Sequence, residues 1–385
     1  MNKPNLAPRF LYTFCIGYAG SLILDPGGNL LPYLSMGMII LGVIYGMNSA
    51  SGKSYASIIL VIALIFPLAA LNSIISSNPT DTSLKWVLWL ATLFGMFAMA
   101  QRAGSSVDEA LCKNTAPAFF IIWLFLAIKG NAMAESVKER SVSLHLSAFY
   151  ANLLICSGLF VPKKSYRIFF VFAGLIGALT SGSRAAFLFL PLVFIPGTVY
   201  YYRVKFSSIA LVSMVVGALF FIINNPTLNA LTFGRKGEDI TNIDSMELAE
   251  RSAGGRAELR QMGIDYIINK PWGYGYGQSI EVVLDGKSLG NNLHNGYLNV
   301  ATQMGLHIFL IYISFIGWVY YKLMTNERIS RRSRFFTLSI LTCAFLRAIS
   351  ESFSLFDLGH PAAFFCIFLI SLLITRNQNP QRQFA

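Results

Sequence analysis

Asn291-Asn292-Leu293-His294-Asn295-Gly296 runs without interruption into Tyr297–Leu323, YLNVATQMGLHIFLIYISFIGWVYYKL, and this stretch decides what kind of protein the chain is. Across those 27 residues the only Lys, Arg, Asp or Glu is Lys322, one position from the end. A helix needs roughly 20 apolar residues to cross the hydrocarbon core of a bilayer. The run therefore reads as a membrane span, and the polar hexapeptide before it is placed at a membrane surface.

Working outward, similar runs recur almost without pause. Spans are predicted near Phe10–Leu24, Leu30–Tyr45, Ala56–Ile75, Leu84–Ala100, Ala116–Ile128 and Val142–Val161, then at Ile168–Leu179, Ala185–Tyr202, Ser207–Ile223, Tyr297–Leu323, Phe335–Ile349 and His360–Ile374. The expected fold is an all-α polytopic membrane protein of about twelve helices. Several runs fall short of a perpendicular crossing, so some helices are expected to start earlier or to be partly re-entrant. Phe10–Leu24 lacks a small-residue cleavage site and runs into further apolar chain, so a span is expected there rather than a cleaved signal.

Composition agrees. Of 385 residues 55% are hydrophobic and 12% charged, with a mean hydropathy of +0.56. A soluble domain carries about 25% charged residues, so a soluble enzyme, a disordered chain and a secreted disulfide scaffold are all excluded. The 30 Lys+Arg against 18 Asp+Glu, a formal +12, would suggest nucleic acid in a soluble protein. Here the surplus sorts by side. With the N-terminus in the cytoplasm and the spans alternating, the cytoplasmic segments hold 17 basic residues against three acids, and the short loops opposite hold six basic residues. That is the positive-inside pattern, with both termini cytoplasmic.

The one long loop, 224–296, then lies on the far side, within a single integral domain spanning 1–385. The cysteines Cys15, Cys112, Cys156, Cys343 and Cys366 lie in or beside spans, with no CxxC and no metal set among them. The groups suited to chemistry gather at the far ends of the spans and in the loop: Arg184, Arg256, Arg260, His294, Arg347, Glu351, Asp357 and His360. A proton-coupled carrier would instead place ionisable groups at mid-membrane depth, often in related halves.

Thr180-Ser181-Gly182-Ser183-Arg184 closes one span and opens the next. It suits an arginine facing a surface cavity, and equally a snorkelling arginine in a tight turn. Glu250–Lys270 reads as a helix on which Arg256 and Arg260 stand one turn apart and can address one anion. A solvated amphipathic loop helix is the plain alternative. Lys270-Pro271-Trp272-Gly273-Tyr274-Gly275-Tyr276-Gly277 has neither a following Gly-Lys-Ser/Thr nor a βαβ frame, so it is no nucleotide loop. An irregular turn is expected, with Trp272 and the tyrosines at the lipid interface or a sugar surface. His294 is the residue type suited to general-base work near neutral pH, although a loop histidine is more often simply solvated. His145 and His307 are expected to be packing residues with satisfied hydrogen bonds.

Taken in order, Thr180-Ser181-Gly182-Ser183-Arg184, Gly254-Gly255-Arg256, Asn269 through Gly277 and Leu293-His294-Asn295 resemble the O-antigen ligase/polymerase superfamily, over about Leu144 to Gly305. Within it the chain looks most like the lipopolysaccharide O-antigen ligases. The resemblance implies a GT-C-like helical glycosyltransferase of the bacterial inner membrane, with short helices in a periplasmic loop and no cofactor or metal. Its donor would be a glycan on undecaprenyl diphosphate and its acceptor the lipid A-core oligosaccharide, with membrane lipids as surroundings and no nucleic acid. It also implies that Arg184 and Arg256 contact the diphosphate and that His294 is the general base. Arg260 as a further diphosphate ligand, and Arg347, Glu351 and Asn295 as supporting residues, are added from helix geometry, depth and adjacency to His294. Two other functions compete: a polymerase with the same donor and a second lipid-linked glycan as acceptor, and a lipid-linked oligosaccharide flippase. The flippase would need a charged central cavity between related halves, and the sequence displays neither.

Overall fold

The structure is a computed structural model. It describes residues 56–102, 107–130, 137–181, 184–202, 256–278, 282–284, 287–290, 293–326, 329–351, 353–357 and 360–378. These form eleven helices: α1 (Ala56–Ile74), α2 (Pro79–Arg102), α3 (Val107–Ile128), α4 (Val137–Gly158), α5 (Lys164–Thr180), α6 (Arg184–Tyr202), α7 (Arg256–Asn269), α8 (Gly296–Met304), α9 (Leu306–Thr325), α10 (Arg331–Ser350) and α11 (Pro361–Gln378). A small antiparallel hairpin, β1 (Val282–Leu284) with β2 (Lys287–Gly290), pairs Val283 with Ser288 and Leu284 with Lys287 and is irregular beyond Val283. The described residues are otherwise helical, as the all-α class requires, and the hairpin is a local addition that the sequence did not announce. Stretches in α2 (Pro79–Gln101), α3 (Glu109–Ile128) and α9 (Leu306–Thr325) are each long and apolar enough to cross a membrane. The expected spans Phe10–Leu24, Leu30–Tyr45 and Ser207–Ile223, Cys15, and the loop up to residue 255 lie outside the described residues.

Several helices begin before their apolar runs because polar residues make good helix starts. At α2 the Asn78 side-chain oxygen accepts from the Asp81 backbone N–H at 3.2 Å. Pro79 takes the first helical position and Asp81 sits in the first turn, where the helix dipole favours an anion.

The largest correction falls on Tyr297–Leu323. It is two helices, broken at Gly305 with φ +92° and ψ 160°. A Cβ there would come within 2.5 Å of the Trp272 carbonyl oxygen. The break lets Leu306 N–H donate to the Pro271 carbonyl at 2.8 Å instead of continuing the α8 ladder. Apolar content alone cannot reveal such a break; the signal was a glycine between Met304 and Leu306.

The chain divides into two compact units. The first comprises the described residues within Met1–Leu111, Leu259–Ser330 and Ala348–Ala385. Its centre is aromatic, with Trp86 edge-on to Tyr276 at 5.1 Å between centroids and Trp89 against Phe356 at 4.8 Å. One polar residue organises it. Asn72 of α1 is fully buried, and its side-chain oxygen accepts from the Trp86 indole at 3.1 Å and from the Tyr276 N–H at 3.0 Å. Its amide donates to the Gln303 carbonyl at 3.0 Å. A buried amide in an apolar helix is costly unless its bonds are made, and here the side chain joins α1, α2, α8 and the 270–278 loop.

The second unit comprises the described residues within Cys112–Glu258 and Arg331–Arg347. Its α4–α5 pair packs closely through Gly174, where a Cβ would lie 2.8 Å from the Ala151 carbonyl oxygen. Small residues that let backbones approach are a common device of membrane helices. Phe119, Phe149, Tyr150, Phe160 and Phe336 are fully buried around that pair. Arg332 of α10 donates through Nε to the Phe160 carbonyl at 3.0 Å, which satisfies an acceptor past the end of α4. Cys112, Cys156, Cys343 and Cys366 form no disulfide and are buried.

Candidate active site

The turn into α8 is fixed residue by residue. Leu293 is buried against Leu259 of α7, with Met262 and Leu298 packed on the pair. His294 follows with φ +48°, the one positive value outside glycine among the described residues. Asn295 caps α8: its side-chain oxygen accepts from Leu298 N–H at 3.0 Å, and its amide donates to the Ile349 carbonyl at 3.1 Å. Gly296 N–H donates to the Glu351 carbonyl at 2.7 Å. The Gly296 Cα lies so close to the Phe353 carbonyl oxygen that a Cβ would overlap it. Residues 293–296 are thus stitched to the chain leaving α10, through bonds that need Asn at 295 and Gly at 296.

That stitching brings two titratable side chains together. His294 Nδ1 lies 3.7 Å from Glu351 Oε2, with the imidazole 44% exposed and the carboxylate 16%. The separation is an ion-pair distance rather than a hydrogen bond. A carboxylate beside Nδ1 favours the tautomer that carries its proton there, which leaves Nε2, across the ring, in the proton-accepting form. Tyr297, Tyr276 and Tyr274 of the same unit offer no competing base. Burial raises the Tyr297 phenol to about 12. Burial also pushes the Tyr276 phenol well above its ordinary value, with Asp357 adding to the effect, and it raises Tyr274, where neighbouring Tyr266 adds. All three are neutral near pH 7 and can act as hydrogen-bond donors.

The Lys270–Gln278 loop is built more deeply into the fold than its composition suggested. Gly273, Gly275 and Gly277 all have positive φ. Tyr274 N–H donates to the Thr302 carbonyl at 3.0 Å, Gly275 N–H to the Gln303 carbonyl at 2.8 Å, and Gly277 N–H to the Gln303 side chain at 3.1 Å. Tyr276, expected at the lipid interface or on a sugar surface, is buried and donates to the Phe356 carbonyl. Trp272 is 57% exposed and suits an interface, with its ring 5.5 Å from that of His307. Neither His307 nitrogen has a hydrogen-bond partner among the described residues, so the expectation of a satisfied core histidine fails there. Lys270 Nζ donates to the Ile75 carbonyl at 3.0 Å and lies over the Tyr274 ring. Lys85 donates to Asp81 at 2.7 Å and to the Gly277 carbonyl at 2.8 Å.

Of the residues singled out from sequence, His294, Asn295 and Glu351 come together in the first unit, and Arg260 stands exposed on α7 one residue past Leu259. Arg184 and Arg256 are the first residues of α6 and α7 and belong to the second unit. Arg347, also of the second unit, is 3% exposed and donates to the His145 carbonyl at 2.9 Å. No cluster of three His, Cys, Asp or Glu able to hold a metal occurs among the described residues. Sequence reading missed Asn72 and Gln303, the two side chains that tie the loop to α1 and α8. An asparagine inside an apolar run was the available signal for the first. Gln303, beside the glycine break, gave none.

No curated protein and no solved structure matches the chain. Residues 169–313, which include the starts of α6 and α7, the 270–278 loop and the His294 turn, match the family model Wzy_C, O-Antigen ligase. That match covers 145 of the 385 residues, so the stretch from within α5 into α9 is similar to the O-antigen ligase family, in a chain with helices long and apolar enough to cross a membrane.

Proposed function

We propose that the chain is an O-antigen ligase that moves a polysaccharide from undecaprenyl diphosphate to the lipid A-core acceptor at the periplasmic face of the bacterial inner membrane. In this reading the whole chain is one membrane-embedded domain with both termini cytoplasmic, and 224–296 is its periplasmic loop. The supporting observation is the His294 turn: a histidine in a left-handed conformation, fixed by Asn295 and Gly296, with Glu351 3.7 Å from Nδ1.

The chemistry follows from charge. Breaking the bond between the sugar and the diphosphate leaves negative charge on the leaving group. Arg184 and Arg256, with Arg260 one turn further along α7, would hold that charge, since guanidinium forks match phosphate oxygens and never lose their own charge. Placing Arg256 at the start of α7 adds the helix dipole to the attraction. His294 Nε2 would take the proton of the attacking acceptor hydroxyl as the new glycosidic bond forms, in one inverting displacement. Glu351 would orient the ring and stabilise the imidazolium that results. Arg347 is the remaining supporting residue of this reading.

Purified protein given undecaprenyl-diphosphate glycan and lipid A-core is expected to yield joined lipopolysaccharide, with the same yield in EDTA. Product lengthened on the undecaprenyl carrier, with no transfer to core, would sink the ligase reading in favour of a polymerase. Carrier movement across a vesicle without bond formation would favour a flippase.

A further inference from the structure

Within the first unit α1, α2, α9 and α11 leave a cavity of about 280 Å³ between them. It runs along α2 from Trp86 to Phe97, eleven residues and so about 16 Å of helix. Phe356 lines it at the end nearest the His294 turn, and Ile374 of α11 lines it at the far end. Its walls are aliphatic and aromatic. The Trp86 and Trp89 indole N–H groups are already bonded, to Asn72 and to the Leu355 carbonyl, and Ser371 contributes a rare hydroxyl.

Such a space is neither dry and empty nor wet at low cost. A buried water needs two to four polar partners; the hydroxyls of Tyr312 and Ser371 could serve one water, but the remaining walls are apolar and could not hold the several that would fill the space. Left empty, the space would forfeit the dispersion contacts that close-packed interiors retain. One wall, Ile311, is 51% exposed, and its neighbours Leu310 and Ile313 are exposed as well. The slot therefore continues into the apolar outer face of α9, a helix apolar and long enough to lie in a bilayer. The material at hand to fill it is hydrocarbon.

We propose that this slot is a lipid site that takes one acyl chain of a bilayer phospholipid, entering past Ile311. The size fits a single chain. At about 30 Å³ for a water-sized group the slot holds roughly nine, and its 16 Å length is about half of a hydrocarbon core roughly 30 Å thick. The consequence is local: the head end of the slot rests on Leu355 and Phe356, part of the strap that leaves Glu351, so the occupant packs under the segment carrying the carboxylate. This site is independent of the transfer reaction proposed above.

The test uses the full chain in nanodiscs. Trp86 and Trp89 are 2% and 7% exposed, so bulk lipid does not reach them. A Trp123→Phe/Trp272→Phe/Trp318→Phe variant, which keeps those two indoles, is expected to lose most of its emission in phospholipid with brominated acyl chains. Adding Ile311→Phe at the mouth should restore it. If the triple variant does not fold, native mass spectrometry of the unaltered chain after extensive detergent washing should retain one phospholipid, lost in Ile311→Phe. Unquenched emission, quenching indifferent to Ile311→Phe, or no retained phospholipid overturns the site. Displacement of the brominated lipid by a polyprenyl phosphate at low mole fraction overturns the acyl assignment in favour of the carrier.

Discussion

At His294 the backbone itself separates function from stability. An L-residue in the left-handed region costs about 1–2 kcal/mol relative to an ordinary conformation, and φ there is +48°. Glycine would remove that cost, at the expense of a more mobile unfolded chain. His294→Gly is therefore expected to leave the melting temperature unchanged or slightly raised while abolishing transfer, and His294→Asn to behave alike, because asparagine tolerates this region. A clear fall in melting temperature in both would make the histidine structural. Glu351 is argued through the ring it faces: Glu351→Gln should lower kcat far more than it raises KM, and Glu351→Asp should recover part of the loss. Imidazole nitrogen-15 spectra should show the His294 proton leaving Nδ1 in Glu351→Gln, a change that a purely packing role would not produce. Equal effects on kcat and KM with an unchanged spectrum would remove Glu351 from the site. His294 and Asn295 were legible in the sequence because they are contiguous with a polar segment that opens an apolar run. Glu351 was legible only as a charge near a span end, since its pairing depends on Gly296 closing against residues 351–353, a contact across more than fifty residues.

Among the helices, one side chain does what the Lys270–Gln278 glycines cannot do alone. Asn72→Ala would remove the acceptor of the Trp86 indole and of Tyr276 N–H, both buried, and the donor to the half-buried Gln303 carbonyl. Each buried group left unpaired costs about 1–3 kcal/mol, so a destabilisation of about 3 kcal/mol or more is expected, read as a fall in thermal stability. Lys85→Met offers the contrast. It removes an ion pair with Asp81 that is 35% and 39% exposed, where solvated pairs contribute about 0–1 kcal/mol, and one half-buried bond to the Gly277 carbonyl, so a clearly smaller loss than for Asn72→Ala is expected. Equal losses in the two variants would mean that the buried amide is not what holds the loop. Most helices could be located from hydrophobic runs, because length and apolarity are local properties of the chain. Three features could not: the early start of α2, which depends on a cap at Asn78; the break at Gly305, which depends on the Pro271 carbonyl arriving from another segment; and the burial of Tyr276, which depends on Asn72 and Phe356. Aromatic content placed that tyrosine at an interface, and tertiary hydrogen bonding took it inside.

For the molecule as a whole, the proposed orientation rests on the distribution of charge rather than on any single contact. Seventeen Lys and Arg fall on the face assigned to the cytoplasm and six in the short loops opposite. Translocating a basic loop is opposed during insertion, so this bias sets topology and says nothing about the proposed reaction, whose proposed arginines would lie on the poorer side. The bias makes opposite demands on two exposed positions. Gln261 on α7 belongs to the loop assigned to the periplasm, and Lys164 at the start of α5 belongs to a basic turn with Lys163 and Arg167 assigned to the cytoplasm. Both are exposed, and the cysteines among the described residues are buried, so background labelling from them should be low. In spheroplasts a membrane-impermeant maleimide is expected to label Gln261→Cys and to spare Lys164→Cys, and in inverted vesicles the pattern should reverse. If Lys164→Cys is the one labelled in spheroplasts, the chain is inverted. Arg260, His294 and Glu351 would then face the cytoplasm, where a glycan already exported on its carrier cannot reach them, and the ligase reading would fall whatever the His294 variants do.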